Sequence, residues 1–139
     1  MSPGSAIAAA GFTHLVWIPD STTGRWEAEF GDLPIVRPAR EGEAVGIAIG
    51  LMLGGARPLV IMQCTGFFEA GDAIRNAVFD LGLPLKLLVG VRSAKNPATA
   101  DNCPRFAEPL VRAWGLPFAW GEDIAALEAD GAFVLLWPE

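Results

Sequence analysis

The chain has one histidine, His14, and two cysteines, Cys64 and Cys103. That inventory cannot build a zinc site of the usual ligand spacing, and a Ser-His-Asp arrangement would have to use His14. Two thiols do not make a disulfide framework and suit a reducing cytoplasm. There is no run of basic residues and the net charge is −6, which argues against nucleic acid or an anionic membrane as partner. Residues 1–10 lack a positively charged segment and have too little apolar length for a signal peptide. The apolar stretch from Ala44 to Met62 is broken at "GGARP" (54–58), because Gly55 frays a helix and Pro58 cannot continue one. What precedes Arg57 is too short for a bilayer span and suits a core helix.

Apolar residues make up 52% of the sequence and charged residues 19%, so the chain has the material for a packed core. Its 139 residues fit one domain, 1–139. Strands are expected at 13–18, 33–37, 58–63, 84–91, 117–120 and 132–137. Helices are expected at 41–54, 67–82, 105–115 and 123–129, and "SAKNPATADNCP" (93–104) is the one long polar loop. Phe68, Ile74, Val78 and Leu81 give the spacing behind the 67–82 assignment. Strands that are apolar throughout and alternate with helices predict an α/β fold of about six parallel strands covered on both faces. Right-handed crossovers make it doubly wound and flavodoxin-like, with ligands meeting the loops beyond the carboxyl ends of the strands. Those loops begin "PDS" (19–21), "PAREGE" (38–43), "QCTGFF" (63–68) and "RSAKNPATADN" (92–102).

The second loop opens the segment "REGEAVGIAIG" (40–50), which sets two carboxylates at the mouth of an oily helix. Glu41 shares a helical stripe with Ala44, Val45 and Ala48. Glu43 lies about 200° around the helix and points elsewhere. Either acid favours the helix N-terminus through the macrodipole, an effect of about 0.3–1 kcal/mol, and this is a sufficient account of Glu43.

With these loops in view, the chain resembles the pyrimidine-binding (PYR) domain of thiamine diphosphate-dependent decarboxylases. The pattern is most like the separate alpha subunit of sulfopyruvate decarboxylase and the matching half of phosphonopyruvate decarboxylase. The likeness rests on "GFTHLVWIPDS", on "REGEAVGIAIGLMLGGARPLVIMQCTG", and on "EAGDAIRN" leading into "LPLKLLVGVRS". It covers residues 11–92 well and the remainder loosely. Glu41, Ala44, Ala48 and Gly50 match the E-x-x-A-x-x-x-A-x-G pattern of that family. The resemblance implies that Glu41 is catalytic, hydrogen-bonding N1′ of the cofactor's aminopyrimidine so that its imino form can activate the thiazolium. It also implies that Gln63, Cys64 and Thr65 line the cofactor pocket beside Glu41, and that Ser21 is a polar residue of the substrate site. Arg92 and Lys95, just after the fourth strand, would meet a sulfonate or phosphonate head. Cys64 has the simpler reading of a small core residue, His14 that of a structural histidine, and Asp72 and Arg75 that of a surface pair.

The sequence departs from a complete enzyme of this kind. Thiamine diphosphate and its Mg²⁺ are held in the family by a second (PP) domain carrying a GDG motif and a downstream Asn. Here only "GDL" (31–33) and "GDA" (71–73) occur, so no metal ligand is assigned. The resemblance therefore implies half an active site, completed by a PP-domain beta subunit in a homodimer or hetero-oligomer. A noncatalytic flavodoxin-like binding or regulatory subunit is the competing reading. A phosphoacceptor domain is disfavoured by Gln63 at the end of the third strand. A dinucleotide site is disfavoured because the glycines at 46, 50 and 54 fall inside a helix.

Overall fold

The computed structural model describes residues 1–139. A six-stranded sheet runs β2(Ile35–Val36), β1(His14–Trp17), β3(Pro58–Gln63), β4(Lys86–Val91), β6(Phe133–Pro138), β5(Phe118–Trp120), with every neighbouring pair parallel. The expected doubly wound α/β sandwich is the fold found. A flavodoxin-like order of 2-1-3-4-5 is modified at one edge, where β6 is interposed between β4 and β5.

Strand alternation sorts the core into two layers. Val16, Val60, Met62, Leu87, Val89, Val134 and Leu136 face α2(Glu41–Leu53), α3(Cys64–Glu69), α4(Gly71–Arg75) and α5(Pro104–Trp114). Leu15, Trp17, Leu59, Ile61, Leu88, Leu135 and Trp137 face α1(Pro3–Ala9) and the 3₁₀ turns Thr23–Glu29 and Ile124–Glu128. On that second face Trp17 meets Phe30 edge-on at 5.1 Å between ring centres, and Trp26 meets Trp137 at 5.0 Å. No helix is long and apolar enough to cross a membrane.

The main departure from the sequence reading is the helix expected over 67–82. It starts at Cys64, directly from β3, then breaks at Ala70 and widens into a π turn over Asn76–Asp80. The buried stripe is Phe67, Ala70, Ile74 and Ala77, with Phe68 only half-buried and Leu81 exposed. Two alanines hid the true period, since small residues read weakly as core. In place of the helix expected over 123–129 there is the 3₁₀ turn Ile124–Glu128, capped by Asp123 accepting from the Ala125 N–H at 3.0 Å. The 3₁₀ turn Thr23–Glu29 lacked a sequence signal altogether.

Candidate active site

Three carboxylates surround the start of α2, and the chain uses two of them. Arg40 at the N-cap is extended (φ −142°, ψ 153°), but a guanidinium cannot accept a backbone N–H, so the helix enters without a side-chain cap from its own N-cap residue. Glu43 instead reaches back to accept the Ala39 N–H at 3.1 Å. Glu69, at the end of α3, accepts the Gly42 N–H at 2.9 Å and the Arg40 guanidinium at 2.6 Å. The Arg40 hydrogen bond, followed by that of Gly42, holds the Glu69 carboxyl below the usual carboxylate range.

Glu41 is different. Its side chain lies against Gly66 in the first turn of α3, where a Cβ on residue 66 would fall 2.2 Å from Glu41 Cγ and 2.5 Å from Oε1. Glycine at 66 is therefore what lets α3 approach the carboxyl so closely. The stripe it shares, Ala44, Val45 and Ala48, is fully buried, while Glu43 is exposed. Glu41 alone of the three acids has no hydrogen-bond or ion-pair partner in the chain.

The other expected site residues lie on the same edge of the sheet, in unequal circumstances. Gln63 ends β3 and donates from Nε2 to Glu139 Oε2 at 3.4 Å. Thr65 is exposed, one residue before Gly66. Cys64 is a correction to the expected lining: its side chain is fully buried among Phe67, Val89 and Cys103, and burial pushes its thiol up to about 11. Only its backbone can face a ligand. Ser21 is exposed and its hydroxyl is unpartnered, whereas its neighbour Asp20 is built in. Asp20 Oδ1 accepts from the Thr22 N–H (2.8 Å), the Thr23 N–H (2.7 Å) and the Thr23 hydroxyl (3.0 Å). The Trp17 indole donates to the same hydroxyl at 3.2 Å.

Arg92 and Lys95 are placed after β4 as expected, but both are already paired. Arg92 grips Asp101 through Nε at 2.7 Å and through its terminal nitrogen at 3.4 Å. The Cys103 N–H, then Arg92, pull the Asp101 carboxyl down to about 2, so it stays ionised at any physiological pH. Lys95 pairs with Glu122. The Lys95–Glu122 pair is exposed, and Arg92 is an exposed cation on a mostly covered Asp101, so water screens both pairs and either cation can exchange its partner. Beside this loop lies a shallow cleft of about 560 Å³, lined by Phe68, Asn102, Cys103, Phe106, Pro109 and Leu110. The sequence reading took neither it nor Asp20 as part of the site.

A 4-hydroxybenzoylformate decarboxylase of Rhodococcus jostii RHA1, described as thiamine diphosphate-dependent, superposes with a TM-score of 0.58 at 17% identity. The benzoylformate decarboxylase of Polynucleobacter necessarius does so with a TM-score of 0.69, also at 17% identity. The chain shares their fold. Each match covers 99% of this chain and 30% of the decarboxylase, so this chain is similar to less than a third of those proteins. No protein-family model matches the sequence, and no curated protein does.

Proposed function

We propose that this chain is the PYR-type part of a thiamine diphosphate-dependent 2-oxo acid decarboxylase, a carboxy-lyase, with Glu41 as its catalytic residue. The observation that carries the reading is the partnerless Glu41 carboxyl in the notch over Gly66. A half-buried carboxyl with no internal partner suits a ring nitrogen that must share a proton, since the interaction strengthens as water is excluded. In this reading the Glu41 carboxyl, seated over Gly66, meets the ring nitrogen of an aminopyrimidine brought to it, with Gln63 and Thr65 at the adjoining end of β3. Thiamine diphosphate, when bound, supplies the carbon nucleophile and electron sink that decarboxylation requires. The part played by this chain is to hold the proton at N1′ and to keep that contact dry.

In this reading the diphosphate and its Mg²⁺ are held by a partner, a PP-domain subunit carrying GDG and a downstream Asn. The substrate in this reading is sulfopyruvate or phosphonopyruvate, with Arg92 or Lys95 exchanging its internal carboxylate for the anionic head and Ser21 facing the 2-oxo acid. The composition suits a cytoplasmic protein. A regulatory subunit that binds cofactor without turnover is the competing reading.

Calorimetry with thiamine diphosphate and Mg²⁺, followed by a CO₂ assay with and without the GDG-bearing subunit, tests the proposal. Weak binding by the chain alone and CO₂ release only from the mixture are expected, because most cofactor affinity comes from metal-held phosphate. Turnover by the chain alone would overturn the partner requirement. Cofactor binding by the mixture with no CO₂ from any 2-oxo acid would favour the regulatory reading.

A further inference from the structure

Two carboxyls outside the Glu41 notch meet at the carboxyl end of the central strands. Asp20 follows β1, and Glu139 follows β6. Asp20 Oδ2 and Glu139 Oε1 are both closed off from solvent, and neither has a hydrogen-bond donor from the rest of the chain. They converge over Gly90 of β4, where a Cβ would lie 2.2 Å from Glu139 Oε1 and 3.2 Å from Asp20 Oδ2. Two charged carboxylates cannot rest side by side in such a place, and one proton between them removes both the repulsion and the unmet acceptor.

We propose that Asp20 and Glu139 share a single proton and form a clasp that fixes the ligand-side loop after β1 to the end of β6. The surroundings suit a neutral Glu139. Burial, then the Asp20 charge, pushes its carboxyl up to about 7, against weaker opposite effects from Gln63 and Lys95. Gln63 of β3 donates to Glu139 Oε2. Lys95 is turned to Glu122, and Arg92 to Asp101, so neither cation neutralises the pair. The Lys95 N–H binds the Glu139 main-chain oxygen at 2.9 Å, and the Glu139 N–H binds the Val91 carbonyl at 3.1 Å, which leaves the Glu139 backbone little freedom to retreat.

The sign of the effect follows. Glu139 takes up its proton at a higher pH in the folded chain than in the unfolded one, so the clasp's stabilisation is complete below the ordinary glutamate range. It is lost as pH rises through about 7. Above neutrality the pair becomes doubly charged and Asp20 is pushed out of the clasp. Asp20 then ceases to hold the Thr22 and Thr23 amides, and the 3₁₀ turn behind Ser21 loosens.

Amide hydrogen exchange, corrected for the intrinsic pH dependence, reads this directly on the chain and does not require cofactor or turnover. Protection at Thr22 and Thr23 should fall by about tenfold or more between roughly pH 6 and 8, while that of Ile61 in β3 stays constant. Glu139→Gln supplies a permanent donor to Asp20, so its Thr22 and Thr23 protection should not change with pH. Carbon-13 NMR of the wild-type carboxyls gives a second measurement that needs no variant, and one carboxyl should titrate near neutrality. Flat protection in the wild type, an undiminished fall in Glu139→Gln, or titration of every carboxyl below about pH 5 would overturn the clasp.

Discussion

The two ends of the ligand edge treat their charges in opposite ways. At the α2–α3 end, Glu43 and Glu69 satisfy the backbone of the helix entrance, and this leaves Glu41 free in its notch. At the β4–β6 end each charge faces another: Arg92 holds Asp101, Lys95 pairs with Glu122, and Glu139 lies beside Asp20 over Gly90. The first end leaves one acid without a partner, and the second commits its charges to one another within the chain. A residue's type and its place on the ligand edge were the same kind of signal at both ends. Only the account of partners separates a group waiting for a ligand from one that already has its counterpart.

The largest effect that could break this contrast is at Glu41. In the assembly proposed above, with a GDG-bearing subunit, Glu41→Gln should lower turnover by about 10²–10⁴-fold, the scale of a lost proton-transfer group. Glu43→Gln should change turnover little and cost stability only on the scale of a helix-terminus charge, about 0.3–1 kcal/mol. Equal rates for the two folded variants would end the distinction between a free and a committed acid.

Gly66→Ala is the next in size. The added methyl meets the Glu41 side chain at 2.2 Å, so the carboxyl must leave the notch or α3 must move away. Denaturant unfolding should show a loss of about 1–3 kcal/mol, as for other overpacked sites. Glu41→Ala in the same background should recover most of that loss. If it does not, the crowding lies elsewhere than at Glu41.

The smallest effect sharpens the β4–β6 side. Asp101→Asn weakens the hold on Arg92 and should lower KM for a sulfonated 2-oxo acid relative to pyruvate by up to about fivefold, the scale of a weak ion pair. Arg92→Ala should shift the same ratio the other way. If KM moves equally for both substrates, Arg92 plays no part in reading the anionic head.

The sheet was legible because its strands are continuous apolar runs, and β3 over 58–63 was placed to the residue. Helical phase told the two acids of α2 apart, since the stripe of Glu41 is buried and Glu43 is exposed. What the sequence hid was mostly a matter of pairing across the fold. The capture of Arg92 by Asp101 depends on how the loop folds back, with Ser93 in the left-handed region at φ 61°. The Asp20–Glu139 meeting joins distant parts of the chain, and its one local trace is Gly90 inside "LKLLVGV", a glycine within a buried strand marking a close approach. Cys64 misled because the strand runs straight into α3, which turns the thiol into the core.

The position of β6 between β4 and β5 has a consequence for how the molecule comes into being. As the chain is made, β5 emerges before β6, yet β6 is its only partner in the sheet. Residues 118–120 must wait as an unpaired strand until residues 133–138 have docked against β4. Assembly of this edge is then a late step that closes long loops, of the kind that slows folding and leaves an exposed strand open to wrong pairing. The same late strand carries Glu139 to Asp20, so the loop after the first strand receives its final fastening only when the sixth has arrived.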